Sequence, residues 1–129
     1  MILGVSARPE RCNLALATRT SLRALIAEPQ RWEGKCVAVD GYWRHRALFA
    51  TARDARRRYA QSSERSSGRR VGIYGTQALL ASAPGTPAAY TAIGIAGQCD
   101  TLAEGAMMVM GYCHYTGGPY IAIAEMRRR

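Results

Sequence analysis

The sequence predicts a small, mainly β (α+β) domain: a partly open barrel of five to six short strands, with an N-terminal helix and one or two further short helices. Apolar residues alternate with a period of two in several short segments, and glycine and proline clusters separate those segments. A chain of 129 residues has room for one modest core. We expect an irregular leader at 1–19, one domain over 20–126 with a basic insertion at 53–70, and a basic tail at 127–129.

A short helix is the first predicted element. Thr20 or Ser21 can cap it by accepting a backbone N–H of the first turn. Pro29 ends it, because the residue before a proline disfavours helical geometry. Residues 29–35 then read as a tight connection that turns at Gly34. The apolar face of the helix consists of Leu22, Leu25 and Ile26.

The clearest strand is predicted over 36–46, and a second over 47–51. Residues at alternate positions of the first strand share one face, and Gly41 within it indicates a bulge or a sharp bend. Tyr42 lies on the opposite face. The apolar face carries Val37, Val39, Gly41 and Trp43.

Four more strands and one helix complete the predicted domain. Thr76 can cap the helix, which lies between the third and fourth strands. A glycine-rich hairpin at 116–119 joins the last two strands. The four strands span 71–74, 90–98, 107–115 and 120–126.

This order of elements predicts an OB-like barrel, with an α+β sandwich as the alternative. The segments Ser21–Pro29, Trp32–Lys35 and Val37–Tyr42 resemble the opening of uncharacterised small bacterial OB-like domain proteins, and the hairpin within 111–121 is similar to their closing strands. The resemblance implies an OB-like architecture and no activity, and the insertion at 53–70 departs from it.

The charge is strongly positive, with a net charge of +9 and Lys35 as the single lysine. Such a balance favours an acidic partner, namely nucleic acid, an anionic membrane surface or an acidic protein. A solvated, arginine-rich surface without a partner is the alternative. Seven arginines fall between Arg53 and Arg70. OB folds bind single strands by stacking bases on aromatic side chains along a basic groove, which predicts a binding set of Tyr42, Arg44, Arg46, Arg56, Arg57, Arg58 and Arg70.

A second cluster lies near the closing hairpin. Tyr112 and His114 share one face by period two, with Tyr120 across the hairpin. These side chains predict a pocket mouth, or alternatively an aromatic cross-strand cluster that stabilises the hairpin.

The sequence predicts no catalytic site, no cofactor and no metal site. His45 and His114 are the only histidines, and no paired carboxylates or phosphate-cradling glycine motif accompany them. The four cysteines lack C-x-x-C spacing. They permit two disulfides in three connectivities, or they are buried free thiols. The apolar strand patterns around Cys36 and Cys113 favour free thiols.

The leading functional hypothesis is a non-catalytic OB-like binding module for an acidic partner, most of all single-stranded nucleic acid. A small protein-binding or immunity-type inhibitor is the alternative, and an exported, disulfide-containing domain is the third. The sequence contains no stretch of about 18 apolar residues, so it predicts no membrane span. The sequence slightly favours the cytoplasm, and a periplasmic location applies if a signal peptide has been removed.

Overall fold

The computed structural model describes residues 11–56, 70–101, 113 and 117–129. Within these ranges the chain forms six strands, four short α-helices and one 3₁₀ turn at Cys99–Thr101. The strands are β1 (Thr18–Thr20), β2 (Cys36–Arg44), β3 (Ala47–Phe49), β4 (Arg70–Tyr74), β5 (Ala88–Gln98) and β6 (Pro119–Arg128). The helices are α1 (Leu22–Ala27), α2 (Pro29–Trp32), α3 (Ala52–Arg56) and α4 (Gln77–Ala81).

Five strands close into a mixed barrel in the order β2-β3-β4-β6-β5, with β5 pairing back to β2. The β4–β6 pair is parallel, and the other pairs of the barrel are antiparallel. The predicted mainly β, α+β class is confirmed. The barrel is nevertheless closed where a partly open one was expected, because β2 and β5 pair continuously from Cys36–Ile95 to Trp43–Ala88.

Strand β2 has two neighbours along its other edge. β1 runs parallel to residues 37–39, and β3 runs antiparallel to residues 42–44. Gly41 lies between these two pairings. A Cβ atom there would lie 2.6 Å from Leu48 Cγ and 2.8 Å from Leu22 Cδ1. The missing side chain therefore lets α1 and β3 pack directly onto this strand.

The core fills the inside of the barrel, as the period-two pattern of β2 predicts. Trp43 is 2% exposed, and its ring meets Tyr90 edge to face at 5.0 Å. Helix α1 closes one side of this core with Leu22 and Leu25. The buried side chains from the strands include Val37, Val39, Leu48, Val71, Ile73 and Ile121.

Both predicted helix caps are present. Ser21 Oγ accepts a hydrogen bond from Ala24 N at 3.0 Å, and Thr76 Oγ1 accepts one from Leu79 N at 3.1 Å. The predicted connection at 29–35 contains the short helix α2, which begins with Pro29 because a proline lacks only an N–H that the first turn leaves unbonded anyway. The predicted turn at Gly34 is confirmed, with φ of 84°.

The structure corrects both ends of the predicted domain. The leader is not irregular throughout, since Thr18–Thr20 forms β1. The basic tail contains the end of β6, which runs through Arg128, and Arg129 N donates to Ala89 O at 3.0 Å. The strand predicted over 107–115 lies outside the described residues, apart from Cys113.

Of the two alternatives that the sequence left open for the cysteines, the structure contains the disulfides. Cys12 is bonded to Cys36, and Cys99 is bonded to Cys113. The first disulfide holds the N-terminal segment against the outside of the barrel, where Cys12 packs with Ala38, Ile93 and Ile95. Cys36 is half-buried in the apolar pattern around it, and a thiol and half of a disulfide can both occupy such a position.

Candidate binding face

The outside of the β1-β2-β5-β6 sheet changes character along the strands. Near Cys36 the outward residues are apolar and lie under the N-terminal segment. Asp40 lies two residues after Ala38 on β2 and pairs with Thr91 of β5. Thr91 in turn pairs with Arg127 of β6. Because alternate residues share a face, these three side chains stand in one row across the sheet.

Asp40 is the centre of this row. Its Oδ1 accepts a hydrogen bond from Thr91 Oγ1 at 2.6 Å and lies 3.5 Å from Arg19 Nη1 on β1. Its Oδ2 lies 4.0 Å from Arg129 Nε. One carboxylate therefore contacts two arginines that are 110 residues apart in the sequence.

A second ion pair lies beside the first. Glu125 Oε2 accepts a hydrogen bond from Arg127 Nε at 2.6 Å. We call this surface the Asp40 face; it consists of Arg19, Asp40, Thr91, Glu125, Arg127 and Arg129. Its three arginines outnumber its two carboxylates, so the face keeps a net positive charge.

The charged side chains of the Asp40 face remain accessible to a partner. The exposed fractions are 62% for Arg19, 54% for Arg127 and 44% for Arg129. Exposed ion pairs contribute only about 0–1 kcal/mol each to stability. Each guanidinium has five N–H donors, and only some of them face the carboxylates. The face is thus a set of oriented cationic groups with donors left for a ligand.

Arg128 extends the positive charge around the end of the barrel. Its guanidinium lies 5.9 Å from the centre of the Tyr90 ring. Such a contact over an aromatic face favours a cation by about 0.5–1 kcal/mol at an exposed site. Arg128 is therefore fixed on the side of β6 opposite Arg127 and Arg129.

The described members of the predicted binding set do not form one exposed groove. Tyr42 is half-buried and packs against the cluster around Phe49 and Tyr120. Arg44 Nη1 donates to Ala55 O at 2.8 Å and to Arg56 O at 3.2 Å, which satisfies carbonyl groups at the end of α3. Its guanidinium thus serves a structural contact.

The remaining arginines of that set are dispersed. Arg70 is 5% exposed and pairs with Phe49, so it is not an exposed contact as predicted. Arg46 is half-buried in the turn between β2 and β3, and Arg56 is exposed at the end of α3. Arg57 and Arg58 lie outside the described residues.

The predicted pocket mouth is corrected at its one described residue. Tyr120 is 9% exposed and meets Tyr74 edge to face at 4.9 Å. Burial raises the pKa of its hydroxyl, and the neighbouring Tyr74 and Glu33 act in the same direction. Tyr120 therefore packs against Tyr74 of β4, whereas the alternative interpretation was an aromatic cluster across the hairpin. Tyr112 and His114 lie outside the described residues.

The described part of the chain presents no assembled reactive group. It contains no cluster of three or more His, Cys, Asp or Glu side chains suited to a metal ion. His45 is exposed in the β2–β3 turn with φ of 55°, and its carbonyl accepts from Trp43 Nε1 at 3.0 Å. That hydrogen bond holds the backbone of His45 in the turn.

Sequence reasoning missed the Asp40 face because its members come from four separate strands. Asp40 has no acidic neighbour in the sequence, and Arg127 and Arg129 fall in the predicted basic tail. One signal was present: residues 127 and 129 are two apart, which places them on one face of any strand that includes them.

Comparison with protein-family models, with curated protein sequences and with solved structures gave no match. Among the described residues, no helix is both long and apolar enough to span a membrane. The class that the fold defines is a small α+β protein built on a closed five-stranded mixed barrel with one added strand.

Proposed function

We propose that this protein is a non-catalytic binding domain for an acidic protein and that the Asp40 face is its contact surface. The observation that carries the proposal is the arrangement of three accessible arginines on one face of the β1-β2-β5-β6 sheet, held by Asp40 and Glu125. Arginine forks of this kind bind carboxylates through two parallel hydrogen bonds.

The pattern of charge favours a protein over a nucleic acid. A phosphate backbone is negative at every step, and it would meet the carboxylates of Asp40 and Glu125 as well as the arginines. A protein surface can place a basic group opposite each of these carboxylates and acidic groups opposite the arginines. Complementary patterns of this kind fix the register of an interface and exclude wrong partners.

The two disulfides also support a protein partner. Disulfides persist in oxidising compartments such as the periplasm and the extracellular space. The proposal therefore combines two earlier hypotheses, the protein-binding module and the exported domain with disulfides.

Single-stranded nucleic acid remains a second candidate, supported by the strand order. The order β2-β3-β4-β6-β5, with a parallel β4–β6 pair and α4 between β4 and β5, is compatible with the OB-like barrel that the sequence predicts. OB barrels bind oligonucleotides on their second and third strands, here β3 and β4. In this chain Phe49 and Arg70 of those strands are buried, which weakens the candidate.

The test compares two triple variants of equal charge. Arg19→Glu/Arg127→Glu/Arg129→Glu removes the Asp40 face, and Arg23→Glu/Arg31→Glu/Arg53→Glu changes three exposed helical arginines. Binding of labelled poly-glutamate, which probes the contacts of carboxylates with the arginines alone, and of labelled oligodeoxythymidine is measured by fluorescence anisotropy across a salt series. We expect poly-glutamate binding that weakens with salt and falls at least tenfold in the first variant only.

Two results would contradict this proposal. Equal losses in both triple variants would mean that net charge alone attracts the polyanion. Tighter binding of the oligonucleotide, lost in the first variant, would favour the nucleic-acid candidate. The free energy of unfolding of each variant, from urea denaturation, shows whether the loss reflects binding.

A further inference from the structure

In the part of the chain that the structure describes, the last half of β6 has a strand neighbour on one edge only. β4 pairs with Tyr120, Ile121 and Ala122 of β6 and ends at Tyr74. From Ile123 to Arg128, the strand pairing of β6 within the described ranges is with β5 alone. Ala124, Arg127 and Arg128 are exposed along this stretch. Among the described residues, β6 thus pairs with β4 up to Ala122 and has no strand neighbour on that edge beyond it.

The main-chain groups that point outward from this edge can be assigned. Arg129 N donates to Ala89 O of β5 at 3.0 Å. In an antiparallel pair, successive residues direct their N–H and C=O groups alternately toward and away from the partner strand. The groups of Arg127 therefore face β5 as those of Arg129 do, and the groups of Met126 and Arg128 face away from it.

The arginines beside this edge determine which kind of strand can pair with it. Arg127 and Arg129 project from one side of β6, and Arg128 projects from the other. A second copy of this chain pairing through the same edge would bring these arginines against their own counterparts. A strand with acidic side chains at alternate positions matches them, since residues i and i+2 of a strand lie about 7 Å apart on one face.

We infer that the edge of β6 from Ala124 to Arg128 receives an extended acidic segment of a partner protein, which adds to the sheet as a further strand. Main-chain hydrogen bonds to Met126 and Arg128 hold the segment, and its carboxylates contact Arg127 and Arg129. This inference rests on the proposed function, because it names the form in which the acidic protein binds.

The first experiment uses a proline. Arg128→Pro removes an N–H that points away from β5, so the existing ladder keeps its hydrogen bonds and only an added strand loses one. Arg128→Gln is the matched control, because it removes the charge and keeps the N–H. The probe is a labelled peptide of alternating Glu and Thr. We expect affinity to fall about tenfold in Arg128→Pro and less than threefold in Arg128→Gln.

The second experiment leaves the protein unchanged. Two forms of the same peptide carry N-methyl groups either at every odd residue or at every even residue. An added strand bonds through one edge only, so one form should lose at least tenfold in affinity and the other should bind as the parent does. This measurement keeps the inference testable if Arg128→Pro does not fold.

The outcomes separate the two proposals. Equal binding by Arg128→Pro and Arg128→Gln, or equal effects of both methylation patterns, would overturn strand addition while leaving an acidic partner in place. Failure of the unmodified peptide and of poly-glutamate to bind the wild-type protein would overturn the proposed function itself. Tighter binding of an oligonucleotide than of the peptide would contradict both proposals.

Discussion

The outer surface of the β2-β5-β6 sheet contains two regions that begin two residues apart. Around Ala38 and Ile93, both fully buried, the surface is apolar and lies under the segment tied down by the Cys12–Cys36 disulfide. Around Asp40 the surface is charged and open. The covered region contributes to the stability of the domain, and the open region offers groups that contribute little to it.

The difference shows where this barrel can accept a partner. The chain uses its own N-terminal segment and a covalent bond to complete the apolar region. It leaves the charged region without such a cover among the described residues. Changes in the two regions should therefore separate stability from binding.

The largest expected effect on stability comes from removing the disulfide that holds the N-terminal segment over the apolar region. Cys12→Ser/Cys36→Ser abolishes a cross-link with a sequence separation of 24. It should lower the free energy of unfolding by about 3 kcal/mol, because the unfolded chain regains the entropy of an open loop. Urea denaturation measures the change.

Leu16→Ser is the control for that variant, since Leu16 is 66% exposed on the same segment. It should change the stability by less than about 0.5 kcal/mol. An undiminished stability in the cysteine variant would mean that the segment holds its place by packing alone.

An intermediate effect on stability is expected in the apolar region beneath the N-terminal segment. Ile93→Val deletes one methyl group from a fully buried side chain that packs with Cys12 and Ala38. It should cost about 1 kcal/mol and leave poly-glutamate binding unchanged. A clear loss of binding without a loss of stability would show that the two regions are coupled.

The smallest effect on stability is expected in the open region. Asp40→Asn keeps an acceptor for Thr91 and removes the charge that contacts Arg19 and Arg129. Stability should change by less than about 1 kcal/mol. The added positive charge should strengthen poly-glutamate binding severalfold at low salt.

The contrary result would also be informative. If Asp40→Asn weakens binding, the orientation that Asp40 gives to the two arginines matters more than the charge that it subtracts. A salt series distinguishes the two effects, because screening reduces the charge effect alone.

Local patterns predicted what depends on local physics. The alternation at Val37, Val39 and Trp43 identified the inner face of β2, and Ser21 and Thr76 were identified as caps because capping depends on a few adjacent residues. Thr18–Thr20 was missed, because it carries no apolar alternation and becomes a strand only by pairing with the edge of β2.

The candidate site was predicted less well, because it depends on contacts between distant segments. Arg70 belongs to an arginine-rich run that suggested exposure, yet its place opposite Phe49 buries it. Conversely, Arg19 and Arg129 looked unrelated in sequence and meet at Asp40. The pairing of the cysteines likewise requires the fold, since Cα atoms 5.5 Å and 5.4 Å apart are brought together only by it.

The burial of Trp43 has an experimental consequence. Of the two tryptophans in the chain, Trp43 is sealed in the barrel, with its indole N–H bonded to the carbonyl of His45. Trp32 is half-buried between Arg31 and Lys35, whose cationic groups lie 5.5 Å and 5.6 Å from its ring. The protein thus contains two intrinsic fluorophores in contrasting surroundings, one reporting on the integrity of the barrel and the other on the helical connection outside it.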